Sequence, residues 1–377
     1  MSEEGSVETC LVVAGVADPG ALRLETVSQS PGSTTPATTE GDARAGDAFH
    51  RAVRAILTVF LLLCACVHLG RAASPEFSND IVLVIGAPGE ESYQAGFTAA
   101  ADAWREASRR AGARLTVIGL EPLTEGSPSD RERVQSALAA LNPKAPTPVW
   151  IVYVGHGTFD HKEAWWNLRG ADVSGEELVH WIEPLHDRTL IVVHGGSASG
   201  PFIPLLSAPG RIIITATRSG EEVNYARFGE RFAQAIASPR ADLDQDGSTS
   251  LLEAFLLAAK ETQSLYAENG RMATEHALID DNGDKLGTPS DWFQGVRVVK
   301  RPDGKTEEAD GFRAHQIALV EAPNLPVLTA EQRQLRDRLE EEVEALRHRR
   351  AKLSEADYLR ELEPVLRKLA EVYSEPK

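Results

Sequence analysis

From Asp80 onward the chain alternates short, unbroken apolar runs with stretches whose apolar residues recur at helical spacing. The first run, 80–86, stops at the turn residues Gly86-Ala87-Pro88-Gly89. Tyr93, Phe97, Ala101 and Trp104 then predict a helix over 92–111 with one apolar stripe. Further strands are expected at 114–119, 149–155, 189–193 and 211–217. Helices are expected at 129–141, with Ser129 as N-cap, from Ser174 to near Leu185, and over 227–236. A strand with one wet face alternates apolar and polar residues, and these runs do not. Both faces must therefore be covered, so the fold class is α/β, a mostly parallel sheet flanked by helices. In such sheets reactive groups collect at the carboxyl ends of the strands.

Lys plus Arg number 39 against 56 for Asp plus Glu, a net charge of −17, and no local basic patch offsets it. That balance repels phosphate backbones and argues against nucleic acid as a partner. The cysteines are Cys10, Cys64 and Cys66. Downstream of Cys66 there is thus no material for a disulfide, a thiolate metal site or a cysteine nucleophile.

Residues 1–50, rich in Gly, Ser, Thr, Pro and acids, read as a disordered extension. Residues 51–73 have the layout of a signal peptide: Arg51 and Arg54, an apolar run over 55–67, then Gly70-Arg71-Ala72. The run is too short to span a bilayer, so no membrane span is expected in the mature chain. The expected location is extracytoplasmic, secreted or periplasmic. Leu63-Cys64-Ala65-Cys66 offers a second option, lipid anchoring through Cys66. The remaining chain divides into an α/β domain over 76–322 and a helical tail over 327–377.

Residues 242–253 fit an EF-hand loop. Asp242, Asp244 and Asp246 take positions 1, 3 and 5, and Gly247 permits the turn at position 6. Ser248 would offer its carbonyl, Ser250 a side-chain or water-mediated contact, and Glu253 the bidentate carboxylate at position 12. Carboxylates crowded this closely repel one another without a cation, and Ca²⁺ is the cofactor expected. Two departures matter. Thr249 stands at position 8, where an apolar residue normally pairs two loops, and the second acidic turn at 280–284 lacks Gly at position 6 and a correct position 12. A lone loop points to a structural rather than a sensory role.

In the tail, Leu335, Leu339, Val343 and Leu346 form one stripe. Ser354 then caps a second helix carrying Tyr358, Leu362, Val365, Leu366, Leu369 and Val372. Pro364 falls inside it and predicts a kink or break. The pair reads as a helical hairpin that docks on the body or mediates self-association.

Two strand tips carry chemistry. The third strand ends in Gly155-His156-Gly157 and the fourth in His194-Gly195-Gly196-Ser197-Ala198-Ser199-Gly200. A histidine facing a small polar turn across one sheet edge is what a base–nucleophile pair needs. The same residues are equally compatible with a histidine satisfied by backbone. If the Gly-rich turn opens a helix, its N–H groups would bind an anion. The order of strand, His-Gly, helix, strand, then Ser197-Ala198-Ser199-Gly200 in place of C-x-S-G resembles the legumain/caspase-like cysteine peptidases of clan CD, with the caspase–hemoglobinase fold. The resemblance covers about residues 80–292. It implies a three-layer sandwich, His156 of the His156-Gly157 pair as general base, and Ser197 standing where the family has its nucleophilic Cys. It also places 218–224 where the family's substrate-recognition loop lies.

A serine hydroxyl is a far weaker nucleophile than a thiolate unless a well-oriented base activates it. The expectation is therefore an exported, calcium-binding pseudo-peptidase that acts as a binding or scaffold module for a peptide or protein ligand. The alternative is an active hydrolase using Ser197 with His156 as base, although Ser199 replaces the second glycine of G-x-S-x-G. A third possibility is a structural calcium-stabilised protein with no ligand groove. Trp165 and Trp166, with Asp160 and His161, would either line a groove or pack under their own loop.

Overall fold

The computed structural model describes residues 78–300, 310–322, 326 and 328–374. The N-terminal extension, the signal-like segment and all three cysteines lie outside the described residues. Among those described, a sheet runs in the order β2 (Arg114–Ile118), β1 (Asp80–Ile85), β3 (Val149–Val154), β7 (Leu190–His194), β8 (Arg211–Thr215), β9 (Leu278–Asp280) and β10 (Thr288–Pro289). The pairings from β2 through β8 are parallel, and β9 and β10 extend the edge antiparallel.

The apolar runs are continuous because successive residues enter opposite cores. In β1, Ile81, Leu83 and Ile85 meet Phe97 and Trp104 of α1 (Glu91–Ala111), Phe228 and Phe232 of α5 (Phe228–Ala235), and Phe255 of α6 (Leu251–Glu268). Val82 and Val84 face the other way, toward Val134 of α2 (Asp130–Ala139), Leu178 of α3 (Gly175–Ile182) and Phe202 of α4 (Phe202–Leu206). The result is the three-layer sandwich expected. Burying side chains of this size contributes roughly 1.5–3 kcal/mol each, so the two cores fix the strand tips against both helical layers. Ser129 and Ser174 close capping boxes with Glu132 and Glu177, which is why α2 and α3 start where they do.

Two features differ from expectation. The stretch after β3 is a small antiparallel sheet of β4 (Gly157–Phe159), β5 (Ala164–Trp166) and β6 (Val173–Ser174). It is held by a turn in which the Asp160 carboxylate accepts from the N–H groups of Lys162 and Glu163. The antiparallel edge strands β9 and β10 are too short to leave a periodic signature.

After the short α7 (Phe312–His315), the tail forms the expected hairpin of α8 (Ala330–Arg349) and α9 (Glu355–Val372) around Leu339, Val343, Leu346, Val365 and Val372. Leu335 and Leu366 were expected on the inner stripe, but they are 41% and 46% exposed. Leu366 follows Val365, and a helix turns about 100° per residue, so only Val365 reaches the partner helix. Pro364 does not break α9, which runs unbroken to Val372.

Candidate functional site

The tips of β3 and β7 lie side by side, as the sequence order requires. The backbones approach so closely that only glycine fits. A Cβ on Gly195 would lie 2.6 Å from Gly229 Cα, and one on Gly196 would lie 2.6 Å from the Gly155 carbonyl. Beyond them Ser197 is 1% exposed. Its Oγ accepts from the Gly157 N–H at 3.1 Å and donates to the Gly157 carbonyl at 3.1 Å. The hydroxyl thus stitches one tip to the other.

His156 turns away from this clamp. Its Nε2 donates to the Pro88 carbonyl at 3.1 Å, and the ring sits among Tyr93, Phe97 and Tyr225 with centroids 5.1, 5.8 and 5.4 Å away. Among the described residues no hydrogen bond joins His156 to Ser197. The two elements that would make a nucleophile and its base are neighbours in the fold but not partners in chemistry.

The rest of the turn is also committed. Ala198 adopts φ 50°, a left-handed conformation rare for a residue with a Cβ, and its N–H donates to the Glu222 carbonyl at 2.9 Å. Ser199 and Gly200 both donate their N–H groups to Thr217 Oγ1, and Ser199 Oγ accepts from the Thr217 N–H. Gly196 donates to His194 Nδ1 at 3.2 Å. The N–H groups of Gly195, Gly196, Ala198, Ser199 and Gly200 are thus spent on protein acceptors, and the helix that follows is only five residues long, so the turn does not form the anion cradle that a helix-opening Gly-rich turn would offer.

His194 ends β7 fully buried, edge-on to Tyr153, Trp166 and Phe202 at 5.1, 5.9 and 4.6 Å. Because Nδ1 accepts a hydrogen bond, the proton sits on Nε2, which has no partner. Burial pushes this imidazole down to about 3.

The flanking loops close on each other. Trp166 is buried and stacked on Tyr153 at 4.8 Å, so it packs beneath its loop rather than lining a groove. Phe159 fills the space over Gly220, and His161 Nδ1 lies 3.1 Å from the Glu221 carboxylate. Glu222 binds His276 through Nδ1 at 2.6 Å and through its N–H at 3.1 Å.

The acidic loop is built differently. Gln245 at φ 62° and Gly247 at φ 92° make the turn. Carboxylate oxygens of Asp242, Asp244 and Asp246 converge, all within 4.8 Å of one another. The Asp242 carboxylate is oriented by the N–H groups of Asp246 and Gly247. Burial holds the Asp246 carboxyl above its ordinary range, with repulsion from Asp244, Glu253 and Asp242 adding to it.

Glu253 stands apart from the converging three: it accepts from the Leu243 N–H at 2.7 Å and from both the N–H and hydroxyl of Ser250. The Ser250 hydroxyl is in turn occupied by the capping box of α6. Ser248 uses its hydroxyl to accept from the Ala322 N–H at 3.1 Å, which leaves its carbonyl for the role expected of position 7. Three hard oxygen donors at this separation suit Ca²⁺. Asp242, Asp244 and Asp246 would hold it, with Glu253 reaching the ion only by giving up loop hydrogen bonds. Thr249 at position 8 donates instead to the Ser238 carbonyl at 2.9 Å.

Sequence reasoning missed a second convergence. Asp280, Asp284 and Asp310 bring carboxylate oxygens within 4.8 Å of one another. Asp310 comes from a distant segment, where no spacing signal announces it. Its carboxylate accepts from the Asp281 N–H and the Thr288 hydroxyl. Burial first, then the neighbouring Asp281 charge, hold Asp310 well above the usual carboxylate range. The aromatic surround of His156 was equally invisible, since Tyr225 reaches it from beyond β8.

No family model matches the chain, and no curated protein sequence matches it. Among solved structures, the Drosophila initiator caspase Dronc aligns with a TM-score of 0.37 and 13% identity, over 58% of this chain and 88% of that one. Caspase-1 from Spodoptera frugiperda aligns with a TM-score of 0.36 and 10% identity, over 56% of this chain and 91% of that one.

Proposed function

We propose that the chain is a pseudo-peptidase of the legumain/caspase-like type, exported and calcium-binding, which acts as a binding or scaffold module for a peptide or protein. The observation that carries this reading is the Ser197 hydroxyl. The sequence resemblance puts it in place of the family's nucleophile, yet its proton and a lone pair both go to the Gly157 peptide, and it is shielded from solvent. A hydrolase needs that oxygen free and paired with a base. His156 is engaged with the Pro88 carbonyl instead. Calcium is supported by the convergence of Asp242, Asp244 and Asp246. Export is supported by the charged and apolar layout of residues 51–73.

A serine-reactive fluorophosphonate probe tests the reading against its alternative, an active hydrolase using Ser197 and His156. The expected result is identical, background labelling of the native chain and of Ser197→Ala. Labelling of the native chain that disappears in Ser197→Ala would overturn the pseudo-peptidase.

A further inference from the structure

The acidic loop has no second hand to pair with, yet its far edge is not bare. Ser250, at position 9, forms an antiparallel bridge with Ala318, and the next N–H, of Leu251, donates to the Ile317 carbonyl at 2.7 Å. The Ala322 N–H reaches the Ser248 hydroxyl at 3.1 Å, and His315 Nε2 lies 2.9 Å from the Asp244 carboxylate. One short segment, 310–322, therefore supplies the edge contacts that a partner loop would supply.

The same segment holds the tail. Gln316, between two residues that face the loop, points the other way. Its Nε2 donates to the Glu340 carboxylate at 2.8 Å and to the Asp337 carbonyl at 3.3 Å, while the Gln316 backbone carbonyl accepts from Arg336 at 3.1 Å. Asp337, Glu340 and Arg336 all belong to α8. The start of the segment is pinned independently, because the Asp281 carboxylate accepts from the N–H groups of Gly311 and Ala314. What remains free to respond is the stretch from His315 onward.

We propose that segment 310–322 stands in for the missing hand and transmits calcium binding at loop 242–253 to the docking of the C-terminal hairpin. The proposal rests on the calcium reading of that loop. Without a cation the three converging carboxylates push the loop apart, and Ser248 and Ser250 are no longer held in register with Ala322 and Ala318. With a cation the loop closes, its edge becomes a fixed template, and Gln316 is held where α8 can use it. A ligand shifts docking only through contacts that differ between the two states, and these edge contacts are the ones that differ.

Hydrogen exchange of the full chain, in calcium chloride and in EGTA, reads the coupling directly, alongside a calorimetric titration with calcium chloride. Calcium should slow exchange by about tenfold in both 315–322 and Ala330–Arg349, and leave 310–314 unchanged. Asp242→Asn should remove both responses. Gln316→Ala, which leaves the loop and the backbone bond to Arg336 intact, should keep the response of the segment and weaken that of the helix. Calcium uptake with unchanged exchange in Ala330–Arg349, or a helix response undiminished in Gln316→Ala, would overturn the coupling while leaving the calcium site standing. Absence of uptake in the titration would overturn both.

Discussion

At the tips of β3 and β7 the chain answers its own polar groups: Ser197 with Gly157, Ser199 with Thr217, and Ala198 with Glu222. In loop 242–253 it gathers three carboxylates, of which only Asp244 meets a basic side chain among the described residues, His315 at 2.9 Å. Both regions are rich in residues that do chemistry elsewhere, and they differ in whether anything is left over. A buried hydroxyl that has given its proton to one backbone partner and a lone pair to another has no proton left to hand to a base, whereas three aspartates within 4.8 Å repel one another unless something positive lies between them. Surplus, rather than the presence of reactive residue types, separates a site that waits for a ligand from a turn that has become structure.

Chelation gives the largest expected difference between the two regions. A cation bound only by the folded chain adds stability of about 2.7 kcal/mol at a hundredfold excess over Kd. For a domain of this size, thermal denaturation in EDTA should therefore fall by about 5 °C or more relative to calcium. Asp242→Ala should abolish that sensitivity. Identical melting curves with and without chelator would break the comparison at its acidic end.

The opposite end is tested by Ser197→Ala. If the hydroxyl is a clamp, its loss strands a buried N–H and carbonyl on Gly157 and costs about 2 kcal/mol in denaturant titration. The calcium response should be unchanged, because the two regions share no contact. A neutral substitution would mean that the oxygen is not structural, and the contrast with the acidic loop would collapse.

How much of this could be read beforehand follows from the range of the interactions. The sandwich was legible because unbroken apolar runs such as 149–154 can be satisfied only by two cores. Ser129 and Ser174 announced α2 and α3 through capping boxes that span three residues. The convergence of Asp242, Asp244 and Asp246 was legible because the three lie within one turn. His156 and Ser197 were correctly brought to adjacent tips, but neither the direction of the imidazole nor the Gly157 clamp follows from spacing, since both depend on Pro88, Tyr93 and Tyr225 from other elements. Asp310 and segment 310–322 were illegible for the same reason. Their partners are far away in sequence, and a bridge of a single residue pair leaves no periodicity.

The finest distinction concerns His194, whose Nε2, like the indole nitrogen of Trp166, is buried without a hydrogen-bond partner among the described residues. Its folded value is about 3, against an ordinary 6.5, so the unfolded chain binds a proton that the folded chain refuses. The stability this contributes is complete above about pH 6.5 and is lost as pH falls toward 3, with a limiting slope of about 1.4 kcal/mol per pH unit. Asp310, Asp281 and Glu275 are displaced the other way by burial, so each of them favours the folded state as pH falls. The net slope of the native chain therefore mixes both signs. The difference between the native chain and His194→Gln isolates the imidazole, because glutamine can still accept from Gly196 but does not titrate. Between about pH 6.5 and 5 the native chain should lose stability more steeply than His194→Gln in parallel denaturant titrations. Equal slopes would mean that the imidazole meets solvent or a partner in the folded state, and that the strand tips are not sealed around it.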